Sequence, residues 1–171
     1  RTRTLGRYSD EFKALEAANM KVLSSFGLMH GATHTEFIKS NEDGKYYFLE
    51  TSSRVGGAHI PDLVEASSSI NIWREWARIE DALLKDKSYE ISKPTGHYSG
   101  LIIALIKDKD PDYSQFESPE TVKFLPLEHH VGIVYKSSDP LIIQERLDRA
   151  AEKILAEMLN ILPPKSKPTI W

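Results

Sequence analysis

The sequence feature that most constrains the fold is a predicted β-hairpin in the first third of the chain. Residues 33–39 and 45–50 are rich in β-branched and aromatic side chains, which favour strands. Residues 41–44, between them, include the asparagine, aspartate and glycine that are typical of a tight turn. Two strands joined by so short a turn run antiparallel, so an antiparallel sheet is expected here.

The turn also predicts which residues of the two strands lie opposite each other. Asn41, followed by two turn residues and Gly44, fits a type I turn with a glycine bulge, which pairs Asn41 with Lys45. Continued along both strands, this register places Glu36 directly opposite Glu50. A register shifted by one residue would put the two carboxylates on opposite faces of the hairpin.

Strand alternation sorts the hairpin side chains into two faces, because successive residues point to opposite sides. Phe37, Tyr47 and Leu49 are expected to point into a core. Arg54 joins the opposite face if the strand geometry continues for two more residues. That face otherwise comprises His34, Glu36, Phe48, Glu50 and Ser52.

Two glutamates placed face to face on a sheet require an explanation, because like charges about 5 Å apart destabilise it. The residues alone leave three explanations open. A cation such as Mg²⁺, which takes carboxylate oxygens together with substrate phosphates, could lie between Glu36 and Glu50. One carboxylate could be protonated, as in a general acid–base pair. Alternatively, Lys39 and Lys45 could screen the pair in solvent.

The segment after the second strand favours a ligand site. Arg54 can offer a bidentate fork to phosphate or carboxylate, and Ser52 adds a hydroxyl oxygen. Gly56 and Gly57 allow a ligand to approach the backbone closely. Together with the two acids, these groups indicate an anion and metal site. The simpler alternatives are a surface salt bridge at Arg54 and a tight turn at the glycines.

These residues resemble the ATP-grasp superfamily, whose members include biotin carboxylase, carbamoyl phosphate synthetase and amino-acid ligases. The family pattern is an acidic residue on one strand and Glu-x-Asn-x-Arg at the end of the next. Residues 31–37 and 48–57 look like this pattern. The Arg-Val-Gly-Gly sequence that begins at Arg54 is most similar to the amino-acid and peptide ligase branch.

By this resemblance, Glu36 matches the first magnesium ligand, and Glu50 matches the second, which bridges two ions. Arg54 matches the arginine that contacts the phosphoryl group or the acyl phosphate. Ser52 stands where the family usually has Asn, so one metal site is expected to be weaker or differently built. The implied cofactors are ATP and Mg²⁺, with Mn²⁺ as an alternative ion.

The resemblance implies an α+β fold in which helices flank an antiparallel sheet. Residues 1–95 would be the C-terminal half of the ATP-grasp core, and residues 96–171 a small α+β C-terminal lobe. The polar segment 86–97 is the predicted boundary between the two parts.

The implied activity is that of a ligase. ATP phosphorylates a carboxylate substrate, and an amine or a similar nucleophile attacks the acyl phosphate, with Arg54 stabilising the developing charge. Two alternatives remain: a non-catalytic ATP-grasp-like binding or assembly module, favoured by Ser52, and biotin-carboxylase-like activation of bicarbonate, disfavoured by the residues after Arg54. The glycine-rich phosphate loop of a complete site is not recognisable, so the chain alone is expected to be inactive.

Composition excludes several classes of function. The net charge of −3 and the pI near 6.1 give no basic field, so nucleic acid is not an expected partner. No apolar run approaches the roughly 18 residues of a membrane-spanning helix. The absence of cysteine excludes disulfides, thiolate zinc sites and cysteine nucleophiles. A cytoplasmic protein with small-molecule carboxylate and amine substrates fits best, and self-association as a homo-oligomer stays open.

The two ends of the chain also carry expectations. The first residues, Arg1 to Thr4, lack Met and a signal-type apolar region, which favours a piece of a longer protein. Its N-terminal part would then be a further partner, although a processed N-terminus would look the same. The proline-rich residues 163–171 are expected to be extended.

Capping and periodicity predict four helices, and three further strands are predicted at residues 99–107, 121–125 and 130–135. The helices are expected at residues 9–26 with Ser9 as cap, 61–67 beginning at Pro61, 72–84 with Asn71 as cap, and from Pro140 with Asp139 as cap. The apolar residues expected to face a core are Phe12, Leu15, Val22 and Phe26 in the first helix, Trp73, Trp76, Ala77, Leu83 and Leu84 in the third, and Leu147, Ala151, Ile154 and Met158 in the last.

Overall fold

The computed structural model describes residues 1–159 of the 171-residue chain. Within this range the helices are α1 (Asp10–Ser25), α2 (Ile60–Ser68), α3 (Ile72–Leu84) and α4 (Pro140–Lys153). The strands are β1 (Thr2–Arg3), β2 (His34–Lys39), β3 (Tyr46–Ser52), β4 (Tyr98–Leu105), β5 (Thr121–Phe124) and β6 (His130–Ser137). The predicted α+β class with antiparallel sheets is confirmed. The extended tail predicted for residues 163–171 lies outside the described residues.

Four of the strands form the larger antiparallel sheet, in the order β1–β4–β6–β5. Successive residues of β4 and β6 are apolar, so both faces of this sheet can be buried. On one face, Leu147 of α4 packs with Ile133 of β6. On the other face, Leu63 of α2 packs with Leu101 and Val134. The core of the described chain is therefore a sheet with one helix on each side.

Helix α4 begins as predicted and lies very close to the sheet. The carboxylate of Asp139 accepts a hydrogen bond from the backbone of Leu141 at 2.8 Å. A Cβ atom on Gly100 of β4 would lie 2.8 Å from Ile143 and 2.9 Å from Leu147, so glycine is required for this close approach. The predicted apolar face is confirmed as buried or partly buried at Leu147, Ala151, Ile154 and Met158.

Helix α1 is capped as predicted but does not contribute to a core. The hydroxyl of Ser9 accepts a hydrogen bond from the backbone of Phe12 at 3.1 Å. None of the residues of α1 is buried, so the prediction of a core-packing helix is wrong. The physical reason is that Phe12 and Leu15 face an open cavity rather than the sheet.

Helix α3 has the predicted bounds, but of the residues predicted to face a core only Trp76 is partly buried. The side chain of Asn71 caps it by accepting from the backbone of Arg74 at 2.9 Å. The buried residues are Glu75 and Ala82, whereas Leu84 is 87% exposed. Trp73, Ala77 and Leu83, expected in a core, are exposed as well. The face of α3 that carries Glu75 is buried because Glu75 finds hydrogen-bond partners there, and not because apolar residues lie on it.

The boundary predicted near residues 95 and 96 is crossed by several contacts. The hydroxyl of Ser99 donates to the carbonyl of Leu63 at 2.6 Å. The backbone of His97 donates to the carbonyl of Ser67 at 3.2 Å, and β1 pairs with β4. Segment 86–97 contains no helix or strand. The division into two parts stays a prediction.

No helix within residues 1–159 combines the length and the apolar character needed to cross a membrane.

Candidate functional site

Strands β2 and β3 form a separate two-stranded antiparallel hairpin that carries most of the predicted site. Glu36 is the direct partner of Glu50, as the turn chemistry predicted, and His34 is the partner of Ser52. Direct partners on a hairpin project to the same side. The hairpin therefore brings the two carboxylates and the hydroxyl together near its open end.

The predicted turn is wrong by one residue, although the predicted pairing of the acids is correct. Ser40, not Asn41, pairs with Lys45, through a hydrogen bond of 2.9 Å from the Ser40 amide to the Lys45 carbonyl. The amide of Gly44, at a φ of 70°, donates to the Ser40 carbonyl at 3.1 Å and closes a longer turn. A bulge then shifts the register between Glu36 and the next residue of β2, and this shift restores the predicted pairing.

The bulge also changes the two faces of the hairpin. Phe48 pairs with Phe37, with ring centroids 6.1 Å apart. Because the bulge lies between Phe48 and Glu50, the regular alternation that was predicted to put these two residues on one face does not hold. Tyr47 and Leu49, expected in a core, are 51% and 54% exposed. The prediction of a core on this side is wrong for the described residues, because α2 and α4 cover the larger sheet instead.

His34 links the acidic strand to the glycine loop, a role that the sequence reasoning missed. Its Nε2 atom lies 3.1 Å from Oε1 of Glu36. Its ring also lies against Gly56, where a Cβ atom would be 2.9 Å from Nδ1 of His34. Gly56 therefore accommodates a protein side chain, whereas a Cβ on Gly57 would meet nothing within 4 Å. The available signal was strand alternation, which placed His34 beside Glu36.

Arg54 lies outside strand β3. The condition under which it would share a face of the hairpin with the two carboxylates is therefore not met. Strand β3 ends at Ser52, and Arg54 lies in the following bend. Its Nη1 atom donates to the carbonyl of Val55 at 3.0 Å, and Val55 is buried. One end of the guanidinium is thus held against its own loop, while the side chain stays exposed.

The lysines that could have screened the acids are engaged elsewhere. Lys39 lies 3.7 Å from Glu11 of α1, and Lys45 lies 3.5 Å from Asp43 in the turn. Within residues 1–159, no lysine or arginine nitrogen lies within 4 Å of a carboxylate oxygen of Glu36 or Glu50. The explanation in which Lys39 and Lys45 screen the pair is therefore not supported by the geometry.

The oxygen atoms of the hairpin side chains fit a hard divalent cation whose remaining ligands are phosphate oxygens and water. Glu36 and Glu50 offer carboxylate oxygens, and Ser52 offers a hydroxyl. Among the described residues, no cluster of three or more histidines, cysteines, aspartates or glutamates could hold a metal. Two carboxylates supplemented by phosphates and water are the ligands that Mg²⁺ commonly takes. The residues present thus fit Mg²⁺ bound together with a nucleotide.

A cavity of about 1180 Å³ adjoins the same hairpin. Glu36 and His34 contribute to its wall on the hairpin side, α1 forms a second wall, and residues 93–98 form a third. Small-molecule sites commonly occupy clefts of about 300–1000 Å³, so this cavity has ample room for a ligand. Its lining was not predicted from the sequence, because it is assembled from segments far apart in the chain.

The fold is similar to that of several solved enzyme structures. Phosphoribosylglycinamide synthetase from Anaerococcus prevotii matches 94% of this chain with a TM-score of 0.59 and 17% identity. L-amino acid ligase from Bacillus licheniformis matches 94% with a TM-score of 0.66 and 18% identity. Pyruvate carboxylase from Rhizobium etli matches 88% with a TM-score of 0.55 and 17% identity. Comparison of the sequence with protein-family models and with curated proteins gave no match.

The chain spans 44%, 43% and 17% of the lengths of these three proteins. The matches extend over 88–94% of this chain, so most of its elements belong to the shared architecture. The resemblance that the hairpin motif predicted is thus confirmed at the level of structure. The chain has the ATP-grasp fold.

Proposed function

We propose that the protein is an ATP- and magnesium-dependent ligase that joins a carboxylate substrate to an amine or a similar nucleophile. The observation that carries the proposal is the direct pairing of Glu36 with Glu50, with no lysine or arginine of residues 1–159 within 4 Å of either. Like charges placed directly opposite each other destabilise a sheet, and a cation between them offsets that repulsion. The fold shared with an L-amino acid ligase supports the same reaction class.

Glu36 and Glu50 would hold Mg²⁺ or Mn²⁺, and Ser52 would add a weaker oxygen ligand. When bound, the ion would neutralise the negative charge of the phosphate groups. Arg54 binds the phosphoryl group: one of its N–H donors is committed to Val55, and a guanidinium has five. His34 orients the carboxylate of Glu36 through their hydrogen bond.

The proposed reaction has two steps. The terminal phosphoryl group of ATP passes to a carboxylate oxygen of the substrate, which gives an acyl phosphate and ADP. The amine then forms a bond to the acyl carbon, the bond from that carbon to the phosphate oxygen breaks, and the amine loses a proton. Arg54 stabilises the negative charge that develops on the phosphoryl oxygens in the first step and on the leaving phosphate in the second.

Because the chain spans less than half of each protein that it resembles, the activity is proposed for the whole protein. Residues 1–95 would carry the metal site, and residues 96–171 would form the C-terminal lobe. The proposal also includes a cytoplasmic location and small-molecule carboxylate and amine substrates.

The direct test is the substitution Glu50→Gln in the full-length protein. The expected result is loss of magnesium-dependent ATP turnover across a panel of carboxylates and amines, with the circular dichroism spectrum unchanged. Glu42→Gln is the matched control, because Glu42 is an exposed glutamate in the turn of the same hairpin. Full turnover in Glu50→Gln would show that Glu50 is not a metal ligand.

Ser52 favours a second candidate, a non-catalytic module that binds ATP or assembles with other proteins. The side chain of serine is shorter than that of the asparagine usual at this position in the ATP-grasp family. The second metal ion would therefore be bound more weakly. Titration of the intact protein with Mg-ATP separates the two candidates. Tight binding without turnover over a broad carboxylate panel would support the module, and bicarbonate-dependent ATP cleavage would instead support activation of bicarbonate.

A further inference from the structure

A second, smaller cavity lies between α4 and the larger sheet. Its volume is about 130 Å³, and none of its lining residues lines the cavity beside the hairpin. Helix α4 forms one wall, and a short 3₁₀ helix (Ser114–Phe116) with the two residues after it forms another. Tyr135 of β6 contributes from the sheet. The cavity is therefore separate from the proposed metal site.

The hydroxyl of Tyr135 reaches this cavity without a partner from the protein. Tyr135 is only 2% exposed, and within residues 1–159 its hydroxyl makes no hydrogen bond. The described side-chain atoms that are both unpaired and shut off from solvent belong to Asn19 and His97, so the oxygen of Tyr135 is open to the cavity. A tyrosine hydroxyl this deeply placed usually has a partner, which indicates that a molecule in the cavity supplies one.

Tyr135 and Arg146 both offer hydrogen-bond donors to that molecule. Burial raises the pKa of Tyr135 to about 12, so its hydroxyl keeps its proton at neutral pH and can donate. The positive charge of Arg146 acts in the opposite direction on this pKa, as expected for a guanidinium near the hydroxyl. Nε of Arg146 donates to Glu120 at 2.8 Å, and both side chains are mostly buried. This contact fixes the guanidinium and leaves its other N–H donors available.

Cationic side chains outnumber acidic ones in the described lining of the cavity. Arg146, Arg149 and Lys153 lie on one face of α4, because they are three and four residues apart, and Glu117 is the acidic residue among the lining. Arg149 and Lys153 also lie 3.8 Å and 3.1 Å from glutamates four positions away along the chain. Pairs at the surface of a helix are weak, so they do not prevent a stronger acceptor from binding.

We propose that this cavity binds a phosphoryl group, which accepts hydrogen bonds from Tyr135, Arg146 and Arg149. The donors come from two different elements, β6 and α4, so a tetrahedral group with oxygens in several directions suits them better than a planar carboxylate. Arginine can bind two phosphate oxygens at once. Inorganic phosphate and the end of a phosphate monoester share this chemistry. The proposal does not depend on the ligase reaction, because the two sites share no residue.

The test measures binding to the full-length protein by isothermal titration calorimetry, without ATP or Mg²⁺ and at constant ionic strength. The probes are inorganic phosphate and glycerol 3-phosphate, with chloride as the reference anion. We expect at least one probe to bind and to raise the melting temperature as its concentration increases. Binding of glycerol 3-phosphate alone would identify a phosphate monoester as the ligand class. If neither probe binds, the proposal is wrong and water is the partner of the Tyr135 hydroxyl.

Two substitutions assign the binding to this cavity. Tyr135→Phe removes only the hydroxyl, and Arg149→Gln removes the charge of a side chain that is 69% exposed, so both variants are expected to fold. Each should weaken binding at least about tenfold, as expected for the loss of a hydrogen bond to a charged group. Tyr47→Phe and Arg74→Gln, at exposed positions outside the lining, are the matched controls. Wild-type affinity in Tyr135→Phe would overturn the proposal.

The melting temperature in phosphate-free buffer gives a second readout for Tyr135→Phe. The variant should melt no lower than the wild type, because the hydroxyl has no partner within residues 1–159 whose bond would be lost. A clearly lower melting temperature would show that the hydroxyl is already bonded within the protein, and the proposal would fail.

Arg54→Gln separates this cavity from the proposed ligase site, where an arginine is also suited to phosphate. Phosphate binding should persist in Arg54→Gln and weaken in Tyr135→Phe. The reverse result would assign phosphate to the ligase site and overturn the proposal. Loss of ATP turnover in Glu50→Gln tests the metal site alone, so failure of one proposal is distinguishable from failure of the other.

Discussion

Nε2 of His34 lies 3.1 Å from Oε1 of Glu36, and the same imidazole ring lies against Gly56 in the loop after β3. One side chain therefore contacts both a predicted metal ligand and the loop that carries Arg54. Partners that orient a metal ligand commonly affect metal affinity about 10–100-fold. His34 is accordingly a positioning residue for the proposed metal site.

The substitution His34→Phe removes this hydrogen bond and keeps an aromatic ring at the position. We expect the magnesium concentration required for half-maximal ATP turnover to rise about tenfold, with a smaller effect on the maximal rate. The measurement is a magnesium titration of the full-length protein. His30→Phe, at an exposed position, serves as the control, and an unchanged magnesium requirement in His34→Phe would contradict the positioning role.

Gly56 is expected to be intolerant of a side chain. In Gly56→Ala, the new Cβ atom would lie 2.9 Å from Nδ1 of His34 and displace the imidazole from Glu36. The free energy of unfolding should fall by about 1–2 kcal/mol, as in other overpacked sites. Chemical denaturation measures the change, and Gly57→Ala is the matched control because its Cβ would meet nothing within 4 Å. Equal stability of the two variants would contradict the close contact.

Gly100 should be equally restrictive, for a reason unrelated to the site. In Gly100→Ala, the Cβ atom would lie 2.8 Å from Ile143 and 2.9 Å from Leu147, both in the core under α4. We expect a loss of about 1–3 kcal/mol in the free energy of unfolding. Gly96→Ala provides the comparison, since nothing lies within 4 Å of its added Cβ. A Gly100→Ala variant as stable as Gly96→Ala would indicate a looser α4 contact.

Glu75 should make the stability of the fold sensitive to acid. Burial raises the pKa of Glu75, but hydrogen bonds from Tyr89 at 2.9 Å and Arg78 at 2.8 Å outweigh it, and the pKa is lowered from 4.5. A carboxyl with a lowered pKa in the folded state stabilises the fold above its unfolded value, and this stabilisation is lost as the pH falls through the folded value.

The test compares thermal unfolding of the wild type and Glu75→Gln over a range of pH. At neutral pH the variant should melt at a lower temperature, because an amide cannot accept hydrogen bonds from both Arg78 and Tyr89 as well as a carboxylate does. The difference should shrink as the pH falls below 4.5. Glu90→Gln, which alters an exposed neighbour of Tyr89, should show no such difference, and a pH-independent gap in Glu75→Gln would contradict the ionic origin.

Local capping chemistry was predictable from the sequence. Ser9, Asn71 and Asp139 each accept a hydrogen bond from the first turn of a helix, as expected for side chains that satisfy free amides. These contacts lie within three residues of the cap, so they depend little on the rest of the fold. The pairing of Glu36 with Glu50 was also predicted, although through a turn register that was wrong by one residue.

Features that depend on distant segments were not predictable. The apolar residues of α3 suggested a core, but Glu75 is buried because Arg78 and Tyr89, up to 14 residues away, satisfy it. The cavity beside the hairpin requires the packing of α1 near residues 93–98, which no local pattern reveals. The role of His34 likewise depends on its contact with Gly56, which lies in the loop after β3.

The bulge in β3 makes the pairing register at Glu36 and Glu50 differ by one residue from the register set at the turn. Because it absorbs one residue between the turn and Glu50, the alignment of Glu36 with Glu50 is corrected within the strand itself. Residues 40–45 can therefore accumulate substitutions, or be exchanged for another turn of the same span, without moving the carboxylates. If the bulge were lost while Leu49 remained, Leu49 would pair with Glu36, and Glu50 would move by one position to the opposite side of the hairpin.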